Sequence, residues 1–362
     1  MVICCAGAPK LPLVEVDTYN EELRKDGAFL GDRATRRAFR AILEDWRDRV
    51  RAIVEQDPLG EQSGTKLSKK RLDRVLHTGS PLAAGILHTA IEEFAAELAA
   101  VTLRFLELPT WKGTERIVVG GGLSASRMGE VIVGRAAVLI KAEGHPILMN
   151  PIRHHPDEAA LIGATQLAPT WILRGADAIL AVDIGGSNIR AGVVELRLQE
   201  APDLTHCTVH AFDLWRYVDE KPRPTRDEAV ARLASMLEAL MATAKSDGLT
   251  LAPLIGIACP GVIAPDGSIE RGAQNLPGDW ESREFNLGER LMLAIPNIGG
   301  HETHVLVHND AVVQGLSEAP FMRDVEHWGV LTIGTGLGNA RFSNRRPKAA
   351  RKQSRPTAAA AR

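Results

Sequence analysis

The chain lacks the sequence features that mark several large classes of protein. It has 4 cysteines, two of them adjacent at Cys4 and Cys5, too few and too irregularly spaced for a disulfide framework or a paired-CxxC zinc site. It has no apolar run of about 18 residues, and its first residues lack the basic leader of a secretion signal. We therefore expect a protein of the reducing cytoplasm that neither spans nor crosses a membrane.

An excess of charge of one sign is also missing. The 43 Lys and Arg residues nearly balance the 45 Asp and Glu residues, giving a formal net charge of -2. Such a balance offers no global field for nucleic acid or an acidic membrane, so the expected partner is a small molecule. The sequence leaves the oligomeric state open, and a homodimer is compatible with it.

The length of the chain predicts more than one core. It has 362 residues, and single hydrophobic cores stop growing at roughly 250 to 300 residues, so two lobes with a cleft between them are expected. Strands that alternate with helices predict α/β layers. The first segment, 1–75, is charged and contains a predicted helix over 34–54, and the second, 76–172, contains a long core-facing helix over 81–106, a strand opening onto three glycines and a closing helix. Segment 178–304 begins with a buried strand, and segment 305–341 contains two further strands. The last segment, 342–362, is a basic tail that is predicted to be disordered.

One turn combines the groups that phosphate binding requires. Asp183-Ile-Gly-Gly-Ser-Asn-Ile-Arg190 places a carboxylate at a strand end, followed by glycines whose amides an anion can approach and by small polar side chains. The plain alternative is a Gly-Gly hairpin turn without a ligand.

Two further strand ends repeat this chemistry. Gly334-Thr-Gly-Leu-Gly338 is a second glycine-rich turn with a hydroxyl beside it, although glycines after a strand also occur in bulges. Asp310 closes another strand and precedes a helix, so it could cap that helix or accept a proton from a substrate hydroxyl. Phosphoryl transfer needs backbone donors, a metal site and such a base.

Four segments in order resemble the ROK family of bacterial sugar kinases and sugar-responsive repressors. They are AVDIGGSNIRAGVVEL, IGIACPGVI followed by NLPGDW, VHNDAVVQGLSE and LTIGTGLGNA, spread over residues 178–341. The resemblance implies a two-lobed actin-like ATPase fold, related to ribonuclease H, with a nucleotide cleft between the lobes. It also implies ATP-dependent phosphorylation of a hexose-like sugar.

The same resemblance implies roles for individual residues. Asp310 would be the catalytic base, and Asp183 would help to position Mg²⁺ indirectly. Asn309, Asp310 and Asn275 would bind the sugar. The phosphates and the rest of ATP would contact Asp183, Gly185, Gly186, Ser187, Asn188, Arg190, Gly334, Thr335, Gly336, Gly120, Gly121 and Gly122.

The segments expected on the adenosine side come before the first phosphate motif, whereas in the family they follow the second. They are the helix over 81–106, ERIVVGGGLSAS and DEAALIGATQLA. Each motif occurs once, so a circular permutation explains the order better than a tandem duplication. The closing helix near Ala160 should then pack on the lobe that begins at Ala178, and residues 60–170 should not form a sheet of their own.

The chain also departs from the family pattern. The cysteine-rich zinc segment and the neighbouring Glu and His sugar ligands should follow the second phosphate turn, but a basic tail stands there. We therefore expect no zinc site, and the identity of the sugar stays open. His308 replaces the Glu that more often begins the aspartate motif, and its plain interpretation is an ordinary strand-end histidine.

Two other functions compete with a kinase. Gly120 to Ala125 fits the GxGxxA dinucleotide fingerprint of an oxidoreductase, but the next strand does not end in the acidic residue that binds the ribose. A sugar sensor, or a degenerate kinase without turnover, would explain the missing sugar ligands. A repressor would normally carry a helix-turn-helix, and residues 1–75 show no convincing one.

Overall fold

A computed structural model of the chain describes residues 7–54 and 56–345. The strands are β1 (Val14–Tyr19), β2 (Arg24–Lys25), β3 (Ala28–Phe29), β4 (Arg116–Gly120), β5 (Leu148–Pro151), β6 (Ala178–Ile184), β7 (Ile189–Glu195), β8 (Thr208–Trp215), β9 (Leu251–Cys259), β10 (Val262–Ile263), β11 (Ile269–Arg271), β12 (Asn297–Ile298), β13 (His301–Glu302), β14 (His304–Asn309), β15 (His327–Ile333) and β16 (Leu337–Asn344). The α-helices are α1 (Arg36–Arg51), α2 (Lys69–Thr78), α3 (Pro81–Glu107), α4 (Arg127–Ala142), α5 (Pro156–Gly163), α6 (Arg226–Ser246), α7 (Leu287–Ala294) and α8 (Asp310–Leu316). No helix in these ranges is long and apolar enough to cross a membrane.

The first lobe is built on a five-stranded sheet in the order β14-β9-β6-β7-β8. β6, β7 and β8 form an antiparallel meander, and β9 and β14 run parallel to β6. Every residue of β6 is buried, because successive side chains face opposite sides of the sheet and both sides are covered. Leu180 and Val182 belong to the core shared with α6, while Ile179 and Ala181 belong to the core shared with α5.

The second lobe repeats this pattern in the order β1-β16-β15-β4-β5. β15, β16 and β1 are antiparallel, and β4 and β5 run parallel to β15. Ile117 and Val119 face the core formed with α3 and α4, whereas Val118 faces the same core as α5 and α8. Two sheets of one topology, with α5 and α8 between them, form the two-lobed actin-like ATPase fold, as the sequence predicts.

The second sheet is assembled from distant parts of the chain. β1, the first strand in the sequence, pairs with β16, the last, so that Val14 lies opposite Asn344. The backbone amide of Arg345 also donates to the carbonyl of Leu13 at 2.9 Å. β4 pairs with β15, so residues 60–170 do not form a separate sheet. Neighbouring strands of this sheet therefore come from distant parts of the chain, which agrees with the predicted circular permutation.

Three expectations from the sequence can be compared with these elements. The predicted long helix is confirmed as α3, and the predicted helix over 34–54 is found as the shorter α1. The charged N-terminal segment also contains β1, which was not expected, because its partner strand lies more than three hundred residues away. The predicted tail begins inside β16, which extends to Asn344, and residues 346–362 lie outside the described part of the chain.

Candidate active site

A cavity of about 500 Å³ lies between the two lobes, where the glycine-rich turns meet. Most of the residues singled out in the sequence line it: Gly121, Gly122, Asp183, Gly185, Gly186, Ser187, Asn188, Arg190, Asn275, Asp310, Gly334, Thr335 and Gly336. Another cavity, of about 560 Å³, is lined by residues such as Leu13, Glu115 and Arg323 and contains neither turn. The chemistry therefore points to the cavity between the lobes, called the cleft below.

The first glycine turn connects β6 to β7. The amide of Gly185 donates to the carbonyl of Asn188 at 2.8 Å and closes the turn. The hydroxyl of Tyr217 donates to the carbonyl of Gly185 at 2.7 Å and anchors the turn from outside. A Cβ on Gly186 would lie only 3.2 Å from Cβ of Asn275, so glycine allows the two segments to approach closely. The turn thus has a fixed shape on the first-lobe side of the cleft.

Arg190 is committed to carboxylates instead of being free for a phosphate. One guanidinium nitrogen lies 2.9 Å from Oδ2 of Asp183, and the other lies 2.6 Å from Oδ1 of Asp157 on α5. Burial raises the pKa of Asp183, and the charge of Arg190 opposes that rise. Arg190 lines the cleft, and both terminal nitrogens of its guanidinium already have protein partners. A contact between Arg190 and phosphate stays a prediction.

Asp310 begins α8 and lines the cleft, but it is not the capping residue of that helix. Asn309 is the N-cap, and its Oδ1 accepts from the amides of Ala311 and Val312 at 3.0 and 3.2 Å. Oδ1 of Asp310 accepts from the amide of Ala311 at 2.9 Å and from Nδ2 of Asn309 at 3.0 Å. The cap and the carboxylate are thus separate residues, which leaves the other oxygen of Asp310 without a protein partner among the described residues.

The surroundings of Asp310 favour its protonated form more than water would. Burial raises the pKa of Asp310 to about 6, and the negative charge of Asp183, which belongs to β6 of the same lobe, adds to the rise. Such a carboxyl group is mostly ionised at neutral pH, yet it is a stronger base than an exposed aspartate.

Asn309 lies behind Asp310 and does not line the cleft. It is fully buried, and Nδ2 also donates to the carbonyl of Gly261 at 2.9 Å. The side chain therefore holds the start of α8, and the expected contact of Asn309 with a sugar stays a prediction.

His308 also points away from the cleft. Its Nδ1 accepts from the amide of Asn309 at 2.8 Å, and Nε2 lies 3.3 Å from the carbonyl of Ala8. Burial lowers the pKa of His308 to about 4, so the ring is neutral. The plain interpretation of a strand-end histidine fits these contacts.

Two glycine turns of the second lobe meet on the opposite side of the cleft. Gly334 donates its amide to the carbonyl of Gly336 at 3.0 Å and closes the turn after β15. Gly121 has a φ of +88°, and a Cβ there would lie 2.4 Å from the carbonyl oxygen of Ile333, so only glycine fits. Gly120 lies within β4 and is buried against Gln314. It was expected to contact ATP, but it does not line the cleft.

Gly121 and Gly122 of the dinucleotide-like sequence therefore belong to the cleft between the lobes. β4, which precedes them, lies between β15 and β5 in a mixed sheet, and β15 ends at the second glycine turn. The three glycine turns, with Asp183 and Asp310 between them, form one composite site.

Several residues that line the cleft were not predicted from the sequence. They are chiefly Asn20, Arg36, Arg216 and Gln314. Asn20 follows β1 with a φ of 52°, and its amide donates to the carbonyl of Asn339 at 3.0 Å. No local pattern would have indicated Asn20 or Arg36. Asn20 reaches the cleft through the pairing of β1 with β16, and Arg36 through its hydrogen bond to Gly334.

The fold and the cleft together define a two-lobed protein of the actin-like ATPase fold. Solved structures similar to part of the chain include two ROK family sugar kinases. The ROK family glucokinase of Streptomyces griseus, solved with glucose and AMPPNP, is 22% identical, with 47% of each chain covered and a TM-score of 0.34. The ROK hexokinase of Thermus thermophilus is 20% identical, with 47% of this chain and 49% of that chain covered and a TM-score of 0.30.

This chain spans about half the length of these two structures. No family model matches it, and no curated protein does.

Proposed function

We propose that the protein transfers the terminal phosphoryl group of ATP to a hydroxyl group of a hexose-like sugar. The observation that carries the proposal is the position of Asp310, a carboxylate with a raised pKa between glycine turns of both lobes. Phosphoryl transfer requires backbone donors around the phosphates and a base for the acceptor hydroxyl, and the cleft offers both.

In this proposal each side of the cleft has its own task. The amides of the turns at Gly185 to Ser187 and Gly334 to Gly336 hold the phosphates, while Gly121 and Gly122 lie towards the adenosine. The carboxylate of Asp310 accepts the proton of the attacking sugar hydroxyl, and Asn309 fixes its direction through their hydrogen bond. Asn275 lies opposite Gly186 and is placed to contact the sugar.

Asp183 fits the expected indirect role beside Mg²⁺. Arg190 pairs with Oδ2 of Asp183, and Oδ1 has no protein partner among the described residues, so a metal-bound water could donate to it. When bound with ATP, Mg²⁺ would neutralise charge that develops on the phosphates.

A second candidate is a sugar sensor or a kinase without turnover. The observation that favours it is that neither Glu nor His lines the cleft in the described part of the chain. Such a protein would bind sugar or nucleotide in the cleft but would release no ADP in response to sugar.

An ADP-release assay distinguishes the two candidates. Purified protein with ATP and Mg²⁺ is offered a panel of hexoses and amino sugars, and the ATP-only rate is the control. We expect at least one sugar to raise ADP release well above that control. If none does, and a sugar nevertheless protects the protein against thermal unfolding, the sensor interpretation replaces the kinase.

A further inference from the structure

Helix α1 places its first residue directly against the second glycine turn. The amide of Arg36 donates to the carbonyl of Gly334 at 3.1 Å. The helix begins at this point because Thr35, which is fully buried, accepts from the amide of Ala38 at 3.2 Å through its hydroxyl. The backbone of Arg36 is therefore fixed one hydrogen bond away from the turn expected to hold phosphate.

The side chain of Arg36 differs from the other arginines of the cleft. Arg190 is paired with Asp183 and Asp157, and the guanidinium of Arg216 lies 2.8 Å from Asp219. Arg36 lines the cleft, is exposed, and has no ion pair or side-chain hydrogen bond within residues 7–54 and 56–345. Arg36 is thus the cleft arginine whose guanidinium has no protein partner among the described residues, whereas Arg216 is held only through Nε by the exposed Asp219.

The charge of the cleft makes such a donor useful. Asp183 and Asp310 both line it, and the negative charge of Asp183 contributes to the raised pKa of Asp310. A polyphosphate entering the same space adds more negative charge. A guanidinium offers two parallel donors to phosphate oxygens and keeps its charge at any physiological pH.

We propose that Arg36 binds a phosphate group of the nucleotide in the cleft, together with the turn at Gly334 to Gly336. This inference rests on the proposed function and adds a phosphate ligand from a segment of the chain outside the recognised motifs. The contact depends on the position of α1 beside the turn after β15.

The test compares nucleotide binding by three variants of the full chain. Arg36→Ala should weaken ADP and ATP binding, measured by calorimetry, by about tenfold or more, because a charge-assisted hydrogen bond is lost. The affinity of Arg36→Lys for ADP and ATP should lie between those of Arg36→Ala and the wild type. The affinity of Arg36→Ala for adenosine should differ from that of the wild type by less than twofold. Arg37→Ala is the matched control, since Arg37 is an exposed neighbour in the same helix and does not line the cleft.

Salt gives a second readout. The difference between wild type and Arg36→Ala should shrink as the ionic strength is raised, because exposed charges are screened. Unchanged thermal unfolding of both alanine variants would show that the fold is intact.

Each outcome decides a different point. If the wild type binds neither ADP nor ATP, the proposed function fails. If the wild type binds them and Arg36→Ala binds equally well, the role of Arg36 is overturned while the kinase proposal stands. Equal weakening of adenosine and ADP would also overturn it, since the effect would then not depend on phosphate.

Discussion

At the scale of single residues, Arg190 links the first glycine turn to the closing helix. Its guanidinium joins Asp183 at the end of β6 to Asp157 in the first turn of α5. The two pairs differ in burial, since the side chain of Asp183 is 12% exposed and that of Asp157 is 46% exposed. A pair shielded from water depends strongly on both partners, while an exposed pair contributes little.

Removing Arg190 should therefore destabilise the protein, and most of the loss should come from leaving the carboxylate of Asp183 unpaired. We expect Arg190→Ala to lower the free energy of unfolding by about 2 to 4 kcal/mol, because a largely buried carboxylate loses its partner. Adding Asp183→Asn should recover part of that loss, and Asp157→Asn alone should change stability by less than about 1 kcal/mol. Denaturant titrations of the wild type, the three single variants and the Arg190→Ala/Asp183→Asn double variant measure these effects. Additive losses from Arg190→Ala and Asp183→Asn would show that the two side chains do not interact.

At the scale of elements, the contact of α5 with α8 brings the two lobes together. The contact is close at the last residue of α5: a Cβ on Gly163 would lie 1.8 Å from the carbonyl oxygen of Val313. α5 also packs on the first sheet through Leu161 and Ala160, in a core that includes Val118 of the second sheet. α5, the last α-helix before β6, is thus part of the layer between the two sheets.

The Gly163→Ala variant tests this packing. We expect it to destabilise the protein by about 1 to 3 kcal/mol, because the added methyl group meets backbone atoms that cannot rotate away. Gly134→Ala in α4 is the control: it is exposed, and a Cβ there meets nothing within 4 Å. That change should stabilise the protein by up to about 1 kcal/mol. Similar thermal unfolding of the two variants would contradict the close approach of α5 and α8.

The sequence allowed some of these elements to be predicted and not others. α3 and the glycine turns depend on residues close together in sequence, so periodicity and turn chemistry were enough. β1 was missed because Val14 and its partner Asn344 are far apart in the chain. Arg36 was missed for a similar reason, because its place in the cleft depends on a hydrogen bond to Gly334, which is far away in the chain. Arg190 was recognised as a cleft residue, but its partner Asp157 comes from α5, so its pairing could not be read from the turn alone.

At the scale of the whole molecule, the predicted circular permutation of the motifs has a simple spatial basis. β1 and β16 are antiparallel neighbours, so the start of β1 at Val14 and the end of β16 at Asn344 lie side by side in the second sheet. The connection between α5 and β6 lies elsewhere, and Gly175 within it is exposed with a φ of +77°. A chain opened at that connection would keep every strand and helix intact.

A second permutation tests whether the fold depends on chain order. We expect a variant with Arg362 joined to Met1 and new ends between Gly175 and Ala176 to unfold within a few degrees of the wild type, because no element is cut. The control has its new ends between Leu180 and Ala181, within the fully buried β6, and should not fold. Thermal unfolding followed by circular dichroism measures both. Loss of structure in both variants would contradict the two-lobed arrangement.

The role of Asp310 can be tested most directly by exchanging it for asparagine. Asp310→Asn keeps the volume of the side chain and leaves the cap residue Asn309 in place, but it cannot accept a proton. We predict thermal stability and ATP affinity close to those of the wild type, with sugar-dependent ADP release reduced at least about a hundredfold. Turnover within a few-fold of the wild type would contradict the account, because the base would then lie elsewhere in the cleft.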